Sequence, residues 1–343
     1  MNINPALSPA DTQAARTALL AEYRRGTGPE YLRRLGEALA GPLDRSPENA
    51  ELLMVYAQRC WIADQRKPDS ARARDAAQRL IEMAPDLSDG YRLLGFAALT
   101  RRDYRDAFLA FSAVKTIASP VNFDNFRALA QMLMSDVKKV GFDLGGQHYA
   151  FDLTTHNAAA IESSAFHSIG LLTEWEELQY LGDLLEPTKI RRIAEVGVLL
   201  GNHSAFFLKT FRPEHITLID ADPANIPFMQ STVTYNSALR PAIHNAFVGD
   251  QDGEVTFAGS KVPMRPLSGL VDGRVDFLKI DVDGSEEKVL KGAAAVIETS
   301  RPAVMIETTP ETHSAVIDWF TARGYCERRV FDRGNYRNVV LTP

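Results

Sequence analysis

Short apolar runs of β-strand length alternate with longer amphipathic segments from Arg191 to the end of the chain. This alternation predicts a Rossmann-like, doubly wound α/β fold, in which helices cover both faces of a mainly parallel sheet. Ligands of such sheets bind beyond the carboxyl ends of the strands, so we expect the chemistry to lie there. The predicted strands cover residues 193–196, 216–219, 243–248, 277–280 and 303–306.

The front of the chain follows a different pattern. Between Pro47 and Ser119 the apolar residues recur every three or four positions, which predicts helices. The clearest unit resembles the tetratricopeptide pattern, and its small residues would let two helices approach closely. We therefore predict an all-α, tetratricopeptide-like domain at residues 1–139 that serves partner binding or self-association; an unrelated helical domain is the alternative. The residues of this unit are Tyr91, Leu94, Gly95, Ala98, Ala107, Phe111 and Val114, followed by Ser119-Pro120.

Residues 140–190 form a predicted linking region. Its first part predicts a β-hairpin whose turn is Gly145-Gly146, and residues 168–185 predict a helix. The third region, residues 191–343, contains the alternating strands and closes with two further predicted strands at 326–331 and 338–341.

Composition limits the classes of function. The chain has 343 residues, a formal net charge of -6 and a pI near 5.7, which argues against a protein that grips nucleic acid. The two cysteines, Cys60 and Cys326, belong to no metal-binding or disulfide motif. The sequence begins without a signal-peptide pattern and shows no apolar run long enough to span a membrane, so we expect a cytoplasmic protein.

A glycine turn follows the first predicted strand of the third region. It reads Glu195-Val-Gly197-Val-Leu-Leu-Gly201, and its glycines would let the backbone approach a ligand. A dinucleotide fingerprint requires a further middle glycine, so the ligand expected here lacks a pyrophosphate. Asp220 ends the next strand about twenty residues later, where an acid accepts the ribose hydroxyls of a nucleoside. A turn that only tightens the strand-to-helix connection is the alternative.

Several further motifs resemble the FkbM-like family of S-adenosylmethionine-dependent methyltransferases. The resemblance covers residues 191–308, and its most specific part is the K-I-D-x-[ED]-G-x-E segment at Lys279 to Glu286. Two residues depart from the usual family pattern, since Glu195 stands where Asp is usual and Asp283 where Glu is commoner. The other motifs are Tyr235-Asn236, Gly249-Asp250-Gln251-Asp252-Gly253, Lys291-Gly292-Ala293 and Arg301-Pro302-Ala303-Val304-Met305-Ile306-Glu307.

The resemblance implies a class I methyltransferase domain whose sheet is completed by a terminal antiparallel hairpin. It also implies S-adenosyl-L-methionine as the cofactor and O-methylation of a hydroxyl on a sugar, glycolipid or natural-product acceptor. Glu195 would hold the methionyl amino group. The residues expected at the cofactor are Glu195, Gly197, Gly201, Asn202, His203, Asp220 and Asp250.

Methyl transfer to oxygen needs a group that accepts the proton of the hydroxyl. We expect it among Asp281, Asp283, Glu286 and Glu307, with Asp281 as the central residue. Clustered carboxylates raise one another's proton affinity, or they hold a divalent cation, which we do not expect here. Structural roles remain open for three residues: Glu286 as a helix cap, Lys279 as the partner of an acid, and His203 as a hydrogen-bonded helix residue.

Two other functions remain as alternatives. The first is a non-catalytic adaptor, in which the helical region binds a partner and the Rossmann domain is inactive or senses a cofactor. The second is a nicotinamide-dependent oxidoreductase, which the missing middle glycine disfavours. Gly197, Gly201, Asp220 and Asp281 argue against an inactive site. The sequence does not identify the acceptor.

Overall fold

The computed structural model describes residues 16–20, 22, 29–65, 67, 71–118, 123–257, 259–282 and 284–343. The chain forms two compact units. The first runs to Lys138 and also takes in Leu153–Ile169, and the second consists of Lys139–Asp152 and Gly170–Pro343. The region expected to link two domains, residues 140–190, is thus shared between both units.

The first unit is helical in its described part, as predicted for residues 47–119. Polar side chains cap two of its helices: the Ser46 hydroxyl accepts from the N–H of Asn49, and the Asn157 amide oxygen accepts from that of Ala160. The helices are α1 (Pro29–Ala38), α2 (Pro47–Asp64), α3 (Arg72–Met83), α4 (Ser88–Thr100), α5 (Tyr104–Ala118), α6 (Asp124–Met134) and α7 (Ala158–Ser168).

Helices α4 and α5 pack closely where Gly95 contacts the ring of Phe111. A Cβ atom on Gly95 would lie 2.7 Å from the Phe111 ring, so the missing side chain creates the space that this ring fills. Phe111 is fully buried and packs edge-on to Phe96 with 5.4 Å between the ring centroids. This is the close approach that the sequence predicts. The relation to tetratricopeptide repeats remains a prediction.

The second unit opens with the predicted hairpin. Strands β1 (Lys139–Leu144) and β2 (Gln147–Asp152) pair antiparallel, and both turn glycines have positive φ. The Asn236 side chain accepts from the N–H of Ala150 and donates to its carbonyl, which fixes β2 to the neighbouring helix. The helix predicted at 168–185 is shorter, because α8 spans only Trp175–Leu184.

A seven-stranded sheet forms the centre of the second unit, and the expected α/β fold is confirmed. Its order is β11-β12-β10-β9-β3-β4-β5, with the five strands from β10 to β5 parallel and the closing pair antiparallel. The strands are β3 (Arg192–Val196), β4 (His215–Asp220), β5 (Ala242–Asn245), β9 (Phe277–Ile280), β10 (Ala303–Thr308), β11 (Cys326–Asp332) and β12 (Arg337–Thr342).

Helices cover both faces of this sheet. Ile193 and Phe277 belong to the core beneath α8, α9 (Asn202–Thr210) and α10 (Ile226–Asn236). Their chain neighbours Ala194 and Leu278 belong to the opposite core beneath α11 (Glu286–Ser300) and α12 (His313–Thr321). Because side chains alternate along a strand, Glu195 and Lys279 face the side of Ile193 and Phe277.

One predicted strand was wrong in its extent. Residues 243–248 do not form a single strand: β5 ends at Asn245, and β6 (Phe247–Val248) pairs in a second sheet. The chain leaves the large sheet at Ala246, whose N–H still donates to the carbonyl of Asp220. The second sheet, of order β6-β8-β7, also contains two strands that we did not predict, β7 (Gly253–Phe257) and β8 (Ser260–Arg265).

No helix in the described part of the chain combines the length and the apolarity that crossing a bilayer requires.

Candidate active site

Gly197 lies where the ends of β3 and β9 touch. Its φ is +81°, and a Cβ atom there would lie 1.6 Å from the carbonyl oxygen of Asp281. The backbone N–H of Asp281 donates to the carbonyl of Val196 at 2.9 Å, and that of Gly197 to Ile219 at 2.9 Å. Only glycine fits this position, and the ends of three neighbouring strands are joined there.

The glycine turn ends at Gly201, which directly precedes α9 and has a φ of +79°. The Thr232 hydroxyl donates to the carbonyl of Leu200 at 2.6 Å, and this bond fastens the turn to α10. The turn therefore has a fixed shape beside the ends of β3 and β4.

Asp220 ends β4 and faces the glycine turn. Oδ2 accepts from the N–H groups of Val198 at 3.0 Å and Leu199 at 2.8 Å. Oδ1 accepts from the N–H of Asp222 at 2.8 Å and from the Asn225 amide at 3.0 Å. A carboxylate has about four acceptor sites, so these four donors occupy the side chain. In this structure Asp220 holds the turn together, and its predicted role at a ribose remains a prediction.

Glu195 is fully buried at the end of β3. Oε2 accepts from the Ser204 hydroxyl at 2.5 Å, whereas Oε1 has no hydrogen-bond partner in the described part of the chain. Burial raises the pKa of this carboxyl, and the Lys279 and His203 charges offset only part of that effect. Leaving a buried acceptor without a hydrogen-bond donor costs free energy. A ligand that donates to Oε1 of Glu195 would remove this cost.

Lys279 lies between acids. It is the register partner of Glu195 across β3 and β9, and its Nζ is 2.8 Å from Oδ2 of Asp281. The ammonium is only 3% exposed, and the Asp281 side chain is 29% exposed. Burial acts to lower the pKa of Lys279, but the charges of Asp281, Glu195 and Glu174 outweigh it and raise this pKa. The pairing with an acid that the sequence left open is present.

His203 and Glu174 form a second buried pair on the same side. Their Nε2 and Oε2 atoms are 2.9 Å apart, and Oε1 of Glu174 accepts from the Asn338 amide at 2.6 Å. Burial acts to raise the pKa of Glu174, but the His203 contact and the Lys279 charge outweigh it and lower the pKa to about 2. The Glu174 carboxylate therefore stays ionised next to the His203 ring.

The remaining predicted residues have separate environments. The Asn202 side chain bonds both backbone polar groups of Thr173. Glu286 is buried, and Oε1 accepts from the N–H of Gly284, which precedes α11 rather than belonging to it, so the capping role remains a prediction. Glu307 pairs in register with Asn338 on β10 and β12, and Asp250 is exposed after β6. Asp283 lies outside the described residues.

Sequence reasoning missed three groups that contact the predicted residues: Glu174, Ser204 and Asn338. Ser204 lies three residues beyond Gly201, in the first turn of α9, and could have been inferred from the glycine turn. Glu174 precedes α8 with a φ of +57°, and Asn338 lies on the closing hairpin. No local pattern marks these two, because only the sheet order brings their segments to the same edge. Among the described residues, no group of three or more His, Cys, Asp and Glu side chains is arranged to hold a metal ion.

The family model of the methyltransferase FkbM domain matches residues 231–326. The matched part begins in α10, ends at the first residue of β11 and includes Lys279, Asp281 and Glu286. No curated protein sequence matches the chain.

Solved methyltransferase structures resemble the chain. Methyltransferase FkbM from Methylobacillus flagellatus KT is 18% identical over 77% of this chain and 65% of that one, with a TM-score of 0.42. The precorrin-6y C5,15-methyltransferase of Geobacter metallireducens GS-15 is 12% identical over 50% and 89%, with a TM-score of 0.37. Aeropyrum pernix fibrillarin with natively bound S-adenosyl-L-methionine is 15% identical over 49% and 74%, with a TM-score of 0.34. The chain spans less than two thirds of the first of these proteins.

Proposed function

We propose that the chain is an S-adenosyl-L-methionine-dependent methyltransferase that methylates a hydroxyl of a small or saccharide acceptor. One observation carries the proposal: the segment that matches the methyltransferase FkbM model supplies Lys279 and Asp281, and these lie beside the buried Glu195 and the glycine turn. Two separate sequence motifs, the glycine turn with Glu195 and the segment with Lys279 and Asp281, thus meet at the carboxyl ends of the strands, where open α/β sheets bind their ligands.

The residues present fit this cofactor. Oε1 of Glu195 is a buried acceptor without a partner in the described part of the chain, and the methionyl ammonium carries the charged donors that it needs. Gly197 and Gly201 present backbone rather than side chains along the turn. When bound, S-adenosyl-L-methionine supplies an electrophilic methyl group, so the protein itself has to orient the acceptor and remove a proton.

Asp281 is the proposed proton acceptor. It follows β9, its side chain is partly exposed, and Oδ2 is held by Lys279 at 2.8 Å. A carboxylate fixed in this way orients an acceptor hydroxyl through its other oxygen and takes the proton as the oxygen is methylated. The Asp281→Asn variant should therefore bind the cofactor and lose methyl transfer, and full turnover in this variant would refute the assignment.

Lys279 is the proposed charge partner of the site. Its charge interacts with those of Glu195, Glu174 and Asp281, and it acts to lower the pKa of the buried Glu195 and that of Glu174, which favours their ionised forms. The ionised form of Glu195 is the one that binds an ammonium, and the ionised form of Asp281 is the one that accepts a proton.

Thermal shift with three ligands tests the proposal. S-adenosyl-L-methionine or S-adenosylhomocysteine at a hundred times its Kd should stabilise the protein by about 2.7 kcal/mol, and NAD should not. Stabilisation by NAD alone would indicate an oxidoreductase instead. A protein that responds to none of the three would favour the adaptor hypothesis, in which the helical region binds a partner and the Rossmann domain has no active site.

A further inference from the structure

A cleft opens at the amino ends of the strands of the seven-stranded sheet, opposite the candidate active site. It has a volume of about 410 Å³ and lies against the first residues of β3, β4 and β5. Strand β3 has five residues and rises about 3.3 Å per residue, so roughly 15 Å separate this cleft from the glycine turn. It is therefore distinct from the candidate active site.

Basic side chains surround the cleft. Its lining includes one carboxylate, Asp272, against five basic groups. The chain as a whole carries a net charge of -6, so this concentration of positive charge runs against the overall composition. The basic residues are Arg192, Arg240, Arg274, His215 and His244.

The three arginines differ in what they already bind. Arg274 is paired with Asp276 at 3.2 Å, and its side chain is 71% exposed. Arg192 donates through Nη2 to the backbone carbonyl of Asp272, but its Nε is buried and has no partner in the described part of the chain. Arg240 is exposed, and no described carboxylate pairs with it. The cleft thus keeps two guanidinium groups with donors to offer.

The floor of the cleft is apolar. Ile193, Ile216, Leu270 and Val275 line it and are all nearly fully buried. An anion above such a floor interacts more strongly with guanidinium groups than it would in open water, because the local dielectric constant is lower. The volume also falls within the range of small-molecule sites.

A purely structural explanation exists for part of this charge. The carboxyl ends of α9 and α10 reach this edge of the sheet, and basic residues stabilise the negative end of a helix dipole. That explanation does not account for the buried donor of Arg192. It also predicts that Arg240, four residues beyond the end of α10, affects stability rather than binding.

We propose that this cleft binds a small ligand bearing a phosphate or pyrophosphate group, at a site separate from methyl transfer. Guanidinium groups match phosphate oxygens in geometry as well as charge, since each offers two parallel N–H donors. Arg192 and Arg240 supply the free donors. Arg274 adds positive charge beside them, and the two histidines offer ring nitrogens that can hydrogen-bond to the ligand.

Isothermal titration of the full chain with inorganic pyrophosphate tests this site. The wild type should bind, Arg240→Ser should bind about tenfold more weakly, and Arg240→Ser with Arg274→Ser should show no saturable binding. The matched control is Arg105→Ser, which removes the same charge from an exposed position on α5. It should bind like the wild type.

Three results would overturn the proposal. The first is no binding by the wild type up to about 10 mM pyrophosphate, a Kd too weak for a specific site. The second is equal binding by the Arg240→Ser and Arg105→Ser variants, which would mean a general charge effect. The third is that the protein does not bind free pyrophosphate but sediments with vesicles of phosphatidylglycerol, and not with those of phosphatidylcholine, in a way that depends on Arg240. That outcome would assign the cleft to a lipid surface.

A further arm keeps this test apart from the proposed methyltransferase function. Saturating S-adenosylhomocysteine, or the Glu195→Gln variant, should leave pyrophosphate binding unchanged, because the two sites lie at opposite ends of β3. Competition between pyrophosphate and S-adenosylhomocysteine would place the anion at the glycine turn and contradict the inference.

Discussion

Glu195 is the residue on which cofactor binding depends most in this account. It is fully buried, and one of its two oxygens has no partner in the described part of the chain. The Glu195→Gln variant keeps the shape but replaces a charged acceptor by a neutral amide. We expect S-adenosylhomocysteine to bind at least about tenfold more weakly, since a hydrogen bond to a charged group contributes about 1.5–3 kcal/mol. Isothermal titration measures the change.

The exposed Glu327 on β11 provides the control for this variant. Glu327→Gln removes the same charge far from the glycine turn and should leave the affinity unchanged. Equal Kd values for the wild type and Glu195→Gln would show that the methionyl amino group is held elsewhere.

Asp220 ends β4, and Asp222 follows it by two residues. Four protein donors occupy the carboxylate of Asp220, two of them from the glycine turn. Asp220→Asn places an amide group where an acceptor is needed, so we expect a loss of about 1–3 kcal/mol in the free energy of unfolding. Urea denaturation measures it.

The Asp222→Asn variant tests which of the two acids binds the ribose hydroxyls. Asp222 is nearly fully buried two residues beyond Asp220, and Oδ1 accepts from the N–H of Ala224. If Asp222 receives the ribose hydroxyls, its variant should lose affinity for S-adenosylhomocysteine with little loss of stability. If only Asp220→Asn loses affinity while remaining folded, the sequence-based assignment to Asp220 is the correct one.

Glu174 should make stability depend on pH in the acid range. Its pKa is lowered to about 2 in the folded protein, from an ordinary value of 4.5. A lowered carboxyl pKa stabilises the fold above the unfolded value, and this contribution is lost as pH falls from about 4.5 towards 2. Near neutral pH, we expect the free energy of unfolding of the wild type to exceed that of Glu174→Gln by about 2–3 kcal/mol. The difference should shrink progressively below about pH 4.5. Urea unfolding at several pH values checks this, and a difference independent of pH would contradict it.

Site residues could be predicted from the sequence where a recognisable motif directly follows a predicted strand. Gly197 and Gly201 were located by their spacing after the first strand and Asp281 by its position after the fourth, and Gly197 and Asp281 are in contact in the structure. The partners Glu174 and Asn338 were missed, because one precedes the first sheet strand and the other follows the last helix. Their contact depends on the antiparallel return of β12, which no local pattern encodes.

At the scale of elements, the packing of α4 on α5 is the most sharply defined contact of the helical unit. A Cβ on Gly95 would lie 2.7 Å from the fully buried Phe111 ring. Gly95→Ala should therefore lower the free energy of unfolding by about 1–3 kcal/mol through overpacking, although alanine favours the helix. Urea unfolding followed by circular dichroism measures this loss.

A second substitution provides the control for Gly95→Ala. Phe111→Leu replaces the ring by a smaller side chain. Gly95→Ala should therefore lower the free energy of unfolding less in the Phe111→Leu variant than it does in the wild type. Strictly additive losses in the two variants would show that the glycine and the ring do not constrain each other.

Elements with a strong period were predictable, and those that depend on sheet order were not. Four of the five strands predicted between residues 193 and 306 match observed ones, and so do the two closing strands, since apolar runs between helices leave little choice. The fifth, at 243–248, was wrong because the chain changes sheets at Ala246. Pro263 made a strand at β8 unexpected, because proline has no N–H to donate to a neighbouring strand. In the structure β6 pairs only with Met264 and Arg265, so no strand on that side needs a donor from Pro263.

At the scale of the whole molecule, charge is distributed unevenly within the second unit. Acids and Lys279 gather at the carboxyl ends of the strands, and arginines and histidines gather at the amino ends. Composition alone excluded a generally basic surface but gave no sign of this polarity, because a net charge of -6 averages over both edges. The proposed methyl transfer takes place at the acidic strand ends, and the proposed phosphate site lies at the basic ones.

A crystal structure of the protein with S-adenosylhomocysteine tests the central claim most directly. We predict a ligand that crosses the ends of β3 and β4 along the turn from Gly197 to Gly201, with its amino group on Oε1 of Glu195. Density for the ligand elsewhere, or a structure at saturating ligand in which Glu195 keeps its unpaired oxygen, would contradict the account.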